Sequence, residues 1–406
     1  LDFVFVSPLL VGAACGVVLN VRRKWSDRGK LEKIFEVSGL LTKEKQGENT
    51  VVKKCRLHRK TAINGGTEYV YRIPLGMTFE DFEKALPRLQ DGVNNKKNGL
   101  QKEVAVEYDG MLRIRVYDAP MPEIIPYANI TKGWSLPVGI SRTQLVQHDF
   151  EKIPHLIVAG TTRYGKTVFL KMAVTTLIMN EPKRTELALI DLKGGLAFNR
   201  FKDVKQVRSV SCSPQEALTH LKAIKADIEA RISYFDLKKY EDVQEAEKKG
   251  ERFSRVFIVV DEAAELSSQG IKDKDDKADR QECEKIMAYI ARVAGGVGYR
   301  IIYCTQYPTA DTLPRQVKQN ADAKLCFRLQ TVKASEVVLD EGGAESLPYI
   351  KGRAIYQTDR KHIVQVPFMS NEYIEEHLSE HKEERQHENN EGVQRKEGDS
   401  NIIEFG

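Results

Sequence analysis

The sequence predicts an α/β protein, a mostly parallel sheet covered by helices on both faces and preceded by a small α+β module. Three observations carry this. Five short apolar runs between residues 155 and 327 alternate with helical and polar stretches, and strands apolar on both faces belong to sheets covered on both sides. One glycine-bearing segment, Gly160 to Thr167 (GTTRYGKT), falls between the first run and a helical pattern. Upstream, Asp109-Gly110 separates two alternating runs, a strong short-range hairpin signal.

A chain of 406 residues exceeds what one hydrophobic core organises, so more than one domain is expected. Hydrophobic residues at 41% and charged residues at 30% describe a globular protein rather than a disordered or wholly membrane-embedded one. The net charge of +5 is uneven, +12 over residues 1–370 against −7 over 371–406. A basic body suits a nucleic-acid partner and equally suits a merely solvated surface. The cysteines at 15, 55, 212, 283, 304 and 326 are scattered, without a Cys-x-x-Cys pair. That spacing argues against a zinc site or disulfide framework and for reduced, buried thiols.

From the N-terminus, residues 1–21 read as a transmembrane helix. Phe3 to Asn20 holds no charge and is followed by Arg22, Arg23, Lys24, Arg28 and Lys30, the basic flank of a cytoplasmic side. A signal peptide would carry its charges before the apolar stretch. The chain begins with Leu, and further sequence upstream is expected. Residues 22–49 read as a basic juxtamembrane linker.

Residues 50–120 form the α+β module. Thr67 to Ile73 alternates as a strand, Thr78 to Leu89 has a Thr cap and helical spacing as far as Pro87, and Glu103–Tyr108 and Met111–Tyr117 flank the Asp-Gly turn. Four prolines between Ala119 and Val138 mark residues 121–139 as a linker. The α/β domain occupies residues 140–370. Its runs are His155–Ala159, Glu186–Asp191, Arg255–Val260, Arg300–Cys304 and Ala323–Phe327, with a long polar helical region from Ser213 to Gly250. The tail, 371–406, is acidic and from His377 lacks periodicity, which reads as disorder.

The segment Gly160, Thr161, Thr162, Arg163, Tyr164, Gly165, Lys166, Thr167 has the strand-before, helix-after context that a phosphate-binding loop needs. Glycines let the backbone curl around a phosphate, and the following helix adds the partial positive charge of its N-terminus. In this reading Lys166 reaches the terminal phosphates of ATP and Thr167 places its hydroxyl on Mg²⁺. Asp261-Glu262 ends a buried run expected beside the loop strand. Asp261 there serves the metal and Glu262 is the general base for water. Gln306, after the run ending at Cys304, is placed to touch the terminal phosphate or the water.

With those elements in order, residues from about 150 to 360 resemble the motor domain of FtsK/SpoIIIE-type DNA translocases. The resemblance rests on HLIVAGTTRYGKTV (155–168), LALIDLKGG (187–195), VFIVVDEAAEL (256–266), YRIIYCTQYPTADTLP (299–314) and VVLDEGGAESL (337–347). It implies a RecA-like fold, ATP hydrolysis with Mg²⁺, a hexameric ring and DNA as partner. The remainder after residue 370 is short and polar, and no orientation-reading winged helix is expected within it. With one membrane helix and a small module ahead, the chain looks more like the TcpA-type coupling proteins of Gram-positive conjugative elements. That likeness implies a relaxase or secretion-channel partner and a place at the cell membrane. A chromosome-segregation-type translocase, and a docking adaptor that binds ATP without pumping, stay open as alternatives.

The sequence departs from the family at two points. Arg163-Tyr164 stands where Gly-Ser is common, and Gly295 stands where a second arginine follows Arg292. Arg292 is therefore the first candidate for the arginine acting in trans, with Arg300, Arg315 and Arg328 behind it. Glu229 and Arg231 match a family Glu-x-Arg stretch and read equally well as a structural ion pair. For DNA contact, which rests mainly on phosphates, Arg315 and Lys318 are the candidates.

Overall fold

Helix α1 (Asp27–Val37) begins where the Ser26 hydroxyl accepts the Gly29 N–H at 3.2 Å, and it buries Leu31 and Phe35. It opens the part of the chain that the computed structural model describes, residues 26–46, 49–94, 101–142, 144–309 and 311–382. Contacts divide the chain after Pro122.

In the first unit, β1 (Leu41–Gln46) and β2 (Asn49–Lys54) form an antiparallel ribbon. Strands β3 (Arg56–Ile63) and β4 (Gly66–Arg72), helix α2 (Phe79–Val93), and strands β5 (Glu103–Tyr108) and β6 (Leu112–Tyr117) follow. The sheet order is β3-β4-β6-β5, antiparallel throughout. Both helices pack on it. The Phe35 ring meets Tyr71 and Phe82 edge-on at 5.2 and 5.8 Å. The stretch read as a basic linker is thus partly structural, because Leu31 and Phe35, four apart, give its helix an apolar face. Pro87 does not end α2. The helix runs through it to Val93, held by a Thr78/Asp81 capping box and by burial of Phe82, Ala85, Leu89 and Val93. The stretch read as a membrane helix lies outside the described residues; among those described, no helix is long and apolar enough to cross a membrane.

The second unit is built on one large sheet. Its elements are β7 (Ser135–Ile140), β8 (Leu145–Asp149), β9 (His155–Ala159), α3 (Lys166–Asn180), β10 (Thr185–Ile190), β11 (Val207–Ser211), α4 (Pro214–Lys238), α5 (Val243–Lys248), β12 (Arg255–Val260), α6 (Lys274–Val293), β13 (Tyr299–Thr305), α7 (Arg315–Asn320), β14 (Ala323–Phe327), α8 (Val332–Leu339), β15 (Arg353–Gln357), β16 (Lys361–Gln365) and α9 (Asn371–Leu378). The strand order is β11-β10-β12-β13-β9-β14-β15-β16-β7-β8, parallel from β11 to β14 and antiparallel beyond. Every residue of β9, β12 and β13 is buried. One apolar cluster lies on each face, which is why these strands read as unbroken apolar runs.

Three expectations change here. Strand β12 is not next to β9, because β13 pairs with both and lies between them. The end of the proline-rich linker is β7, an integral strand whose Leu136 and Val138 are fully buried. The tail begins as helix α9, where Ser370 caps the chain and Ile374 and Leu378 bury one face; residues from 383 onward lie outside the described residues.

At the N-terminal edge of the parallel strands is a buried charge network. Glu151 accepts from Arg255 Nε at 2.8 Å and from Arg300 at 3.1 Å, while Arg255 also donates to Glu247 at 2.8 Å. Buried charges are tolerated when paired in this way. Cys283, Cys304 and Cys326 are buried and Cys55 and Cys212 half-buried, all as free thiols.

Candidate active site

Strand β9 ends at Ala159, and the next residue must turn away from the sheet. Gly160 does so at φ +148, where a Cβ would stand 2.6 Å from Phe327 Cβ, so any side chain there collides with β14. Gly165 closes the loop at φ +114 as the cap of α3. Between them Arg163 holds a left-handed φ of +75, unusual for a residue with a side chain. The helix that follows buries ten of its residues, which locks its N-terminus against the loop.

The loop residues have different jobs. Thr161 sends both its N–H and its hydroxyl to the Arg328 carbonyl, each at 3.0 Å, so it anchors the loop to the end of β14 rather than offering donors to a ligand. Tyr164 also faces inward through its backbone, its carbonyl accepting the Gly352 N–H at 3.0 Å. Thr162 and Arg163 are exposed. Lys166 is 4% exposed, and its ammonium donates to the Thr161 carbonyl at 2.9 Å. Burial lowers its pKa; Cys304, Glu262 and Asp261 oppose that.

Asp261 and Glu262 leave β12 at the same sheet edge, and Thr305 and Gln306 leave β13 between them and the loop. The Thr167 hydroxyl donates to Asp261 Oδ1 at 3.2 Å. Burial raises the Asp261 pKa, the nearby Asp191 carboxylate adds to the rise, and the Thr167 hydrogen bond opposes it. Glu262, 2% exposed, accepts from Thr305 Oγ1 at 3.1 Å and from the Gln306 N–H at 3.1 and 3.2 Å. Gln306 in turn takes a hydrogen bond from the Thr162 hydroxyl at 2.9 Å. The structure therefore gathers Thr162, Lys166, Thr167, Asp261, Glu262 and Gln306 at the carboxyl ends of β9, β12 and β13. Ligands of open α/β sheets bind at that edge.

A metal ion fits this edge in one way. Among the described residues no group of three His, Cys, Asp or Glu side chains is placed to hold an ion. Mg²⁺ uses one or two protein oxygens and completes its shell with water and phosphate. The Thr167 hydroxyl beside a buried carboxylate supplies such a pair.

Two site residues carry no role in the sequence reading, although LALIDLKGG was singled out. Lys193 follows β10 and places Nζ 3.1 Å from Glu262 Oε2. Asp191 shapes that turn, accepting the Lys193 N–H at 3.0 Å and the Ala197 N–H at 2.7 Å. The only signal was the run Asp-Leu-Lys-Gly-Gly (191–195) at a strand end.

The arginines separate. Arg300 is buried in the Glu151 network, and burial lowers its pKa to about 10. Arg328 stacks on Tyr349 at 3.9 Å and donates to the Leu347 carbonyl. Both are engaged within this chain, which weakens their case as trans groups. Arg292 and Arg315 are exposed. Lys318 is tied to Asp340 at 2.6 Å, which weakens its case as a DNA contact. Glu229 and Arg231 do not pair. Glu229 meets Lys225 at 3.6 Å, whereas Arg231 donates to the carbonyls of Ser254 and Val297 and lies on the Tyr299 ring. In the LDEGGAE stretch, Glu345 accepts from Ser335 at 2.6 Å and from the Gly343 N–H at 2.8 Å, bracing the turn that follows α8.

Residues 131–256 match the FtsK/SpoIIIE family, and the chain carries a domain of that family. It is 31% identical over 206 residues to the DNA translocase FtsK of Helicobacter pylori strain J99, covering 49% of this chain and 23% of that protein. Against the DNA translocase FtsK of Leptospira interrogans it is 30% identical over 251 residues, covering 58% and 25%. The matched stretch thus spans about a quarter of those relatives. Among solved structures, the fold is similar to the pCW3 conjugation coupling protein TcpA, monomer form with ATPgS. The TM-score is 0.63 at 22% identity, covering 88% of this chain and 99% of that one. It is also similar to the cytoplasmic domain of the Thermomonospora curvata type VII secretion ATPase EccC, with a TM-score of 0.53 at 18% identity over 65% of this chain and 32% of that one. Both likenesses concern the fold. The second unit therefore has the mixed α/β fold of those structures, with its glycine loop, acidic pair and glutamine on one edge of a large, mostly parallel sheet.

Proposed function

We propose that this chain is a membrane-tethered, ATP-hydrolysing DNA translocase that serves as a coupling protein in DNA conjugation. The observation that carries the ATPase part is the convergence of Lys166, Thr167, Asp261, Glu262 and Gln306 at the ends of β9, β12 and β13. DNA as substrate is supported by the FtsK relatives, and the coupling role by the fold likeness to TcpA along nearly the whole of both chains. The apolar stretch Phe3–Asn20 with its basic flank supports the tether.

In this reading the ammonium of Lys166 exchanges the Thr161 carbonyl for phosphate oxygens, replacing a neutral partner by an anionic one. Thr167 and Asp261 would hold Mg²⁺, which supplies positive charge to the phosphoryl oxygens. Glu262 accepts the proton of the attacking water, and Gln306, on the adjacent strand end, orients that water or reads the terminal phosphate. Arg292, exposed on α6, supplies the stabilising charge to a neighbouring subunit's site in a hexameric ring. Arg315 contacts DNA phosphates. A relaxase or channel protein is the expected further partner.

The test is the ATPase rate of the full chain with single-stranded DNA, with double-stranded DNA and without DNA, beside Lys166→Ala and Glu262→Gln. DNA-stimulated hydrolysis that both substitutions abolish supports the motor. Hydrolysis indifferent to DNA, or ATP binding without turnover, favours the docking adaptor.

A further inference from the structure

The cleft that holds Thr162, Lys166 and Thr167 has a volume of about 540 Å³ and continues into a region of different chemistry. Ile124, Val366, Pro367 and Phe368 also line it. Ile124 is 75% exposed and Phe368 53%, so two large apolar side chains line a charged cleft instead of packing in the core. Their backbones are held together. The Phe368 N–H donates to the Ile125 carbonyl at 2.7 Å, the Tyr127 N–H donates to the Phe368 carbonyl at 2.9 Å, and Pro126 bridges Phe368 in parallel.

The floor is equally built. Gln365 is buried and its side chain is engaged at both ends. Nε2 donates to the carbonyls of Glu123 and Lys351 at 2.7 and 2.8 Å, and Oε1 accepts from Arg353 at 2.9 Å. Gly352 lies so close that a Cβ there would be 2.6 Å from Gln365 Nε2. The same Gly352 donates its N–H to Tyr164 of the phosphate loop. The apolar wall and the loop thus share one braced floor.

We infer that Ile124 and Phe368 form the slot for the nucleobase of the bound nucleoside triphosphate. The inference rests on the phosphate site proposed above, since continuity with that loop identifies the occupant. An aromatic ring and a branched aliphatic chain grip a planar heterocycle by dispersion and stacking. With the Gln365 amide engaged internally, the slot recognises the faces of the base through these side chains, and affinity follows contact area.

The experiment is calorimetric titration of the full chain, in a Glu262→Gln background that prevents turnover, with ATP and with inorganic tripolyphosphate. Base stacking corresponds to a factor of about 5–150 in affinity. Phe368→Ala and Ile124→Ala should each weaken ATP binding, Phe368→Ala by at least about fivefold, and leave tripolyphosphate binding unchanged; unchanged tripolyphosphate affinity also shows that the variants fold. If ATP and tripolyphosphate bind the parent equally, or the variants leave their affinity ratio unchanged, the slot is wrong while the phosphate site stands. If tripolyphosphate does not bind the parent at all, the phosphate site fails and the slot with it.

Discussion

Lys193 Nζ stands 3.1 Å from Glu262 Oε2, and the two residues arrive from different strand ends, β10 and β12. Glu262 is almost fully buried, whereas the lysine is 38% exposed. The carboxylate that should activate water is therefore held by a partly exposed cation as well as by Thr305 and the Gln306 N–H.

Removing that cation should act on turnover rather than on substrate binding. Lys193→Met is expected to change kcat several-fold while KM for ATP stays within about twofold, because only the general base loses a partner. It should also lower stability by about 1 kcal/mol, a value kept small by solvent screening of the lysine. In a urea-unfolding double-mutant cycle, Lys193→Met with Glu262→Gln should be less destabilised than the sum of the singles. Additive effects would show that the pair does not interact.

Lys166 is stabilised by its ligand and penalised without it. Burial lowers its pKa, so the folded state disfavours the charged form and the penalty is present at neutral pH. Lys166→Met removes the charge at similar volume. The nucleotide-free unfolding midpoint should rise by a few degrees, about 2–4 °C per kcal/mol for a unit of this size, and added ATP should no longer raise it. A lower midpoint in the variant would mean that the ammonium is well satisfied in the empty loop.

Two buried histidines make the fold acid-sensitive. Burial lowers the pKa of His148 from 6.5 to about 3 and of His155 from 6.5 to about 4. Their folded-state values lie below the unfolded ones, so the unfolded chain takes up protons first. Stability is complete above pH 6.5 and is lost as pH falls toward 4 and then 3, at about 1.4 kcal/mol per pH unit for each histidine. Unfolding by urea at pH 7 and pH 5 should differ by roughly 2–4 kcal/mol, and His148→Phe should flatten the slope by about half. Parallel slopes in wild type and variant would refute the assignment.

Arg300 and Arg292 should separate structure from assembly. Arg300→Ala removes one of the two arginines on Glu151, which Arg255 still holds, and should lower stability by about 1–3 kcal/mol. Arg292→Ala should leave stability within about 0.5 kcal/mol and lower DNA-stimulated kcat by about 10³-fold. Mixing Arg292→Ala with Glu262→Gln chains should restore part of the activity, since the site of an Arg292→Ala chain keeps its own Glu262 and receives Arg292 from a Glu262→Gln neighbour. Mixtures as inactive as their parts would rule out a trans role for Arg292.

Much of the second unit was legible because its signals are local. The run His155–Ala159 coincides with β9, and Arg255–Val260 with β12, because burial on both faces leaves no polar position in the strand interior; Ala323–Phe327 coincides with β14, where only Lys324 breaks the apolar run. Gly160, Lys166 and Thr167 announce themselves by spacing, and Asp261 and Glu262 by following a buried run. Helices α1 and α9 were less legible. Each buries only two residues four apart, in a segment whose overall charge suggested solvent.

By itself the sequence determined that a strand, a glycine-turned loop and a helix must form at residues 155–180, and that acidic and amide groups end two later strands. Tertiary structure alone decided which of these meet. Placing β13 between β9 and β12 puts Gln306 against Thr162 and its N–H on Glu262. Lys193 reaches Glu262 from 69 residues away, and Arg300 is consumed by Glu151. Ile124 and Phe368 become neighbours only when the ends of the second unit pair. Strand order and long-range register depend on how whole faces pack, and no local pattern encodes the partner of a side chain far away in the chain.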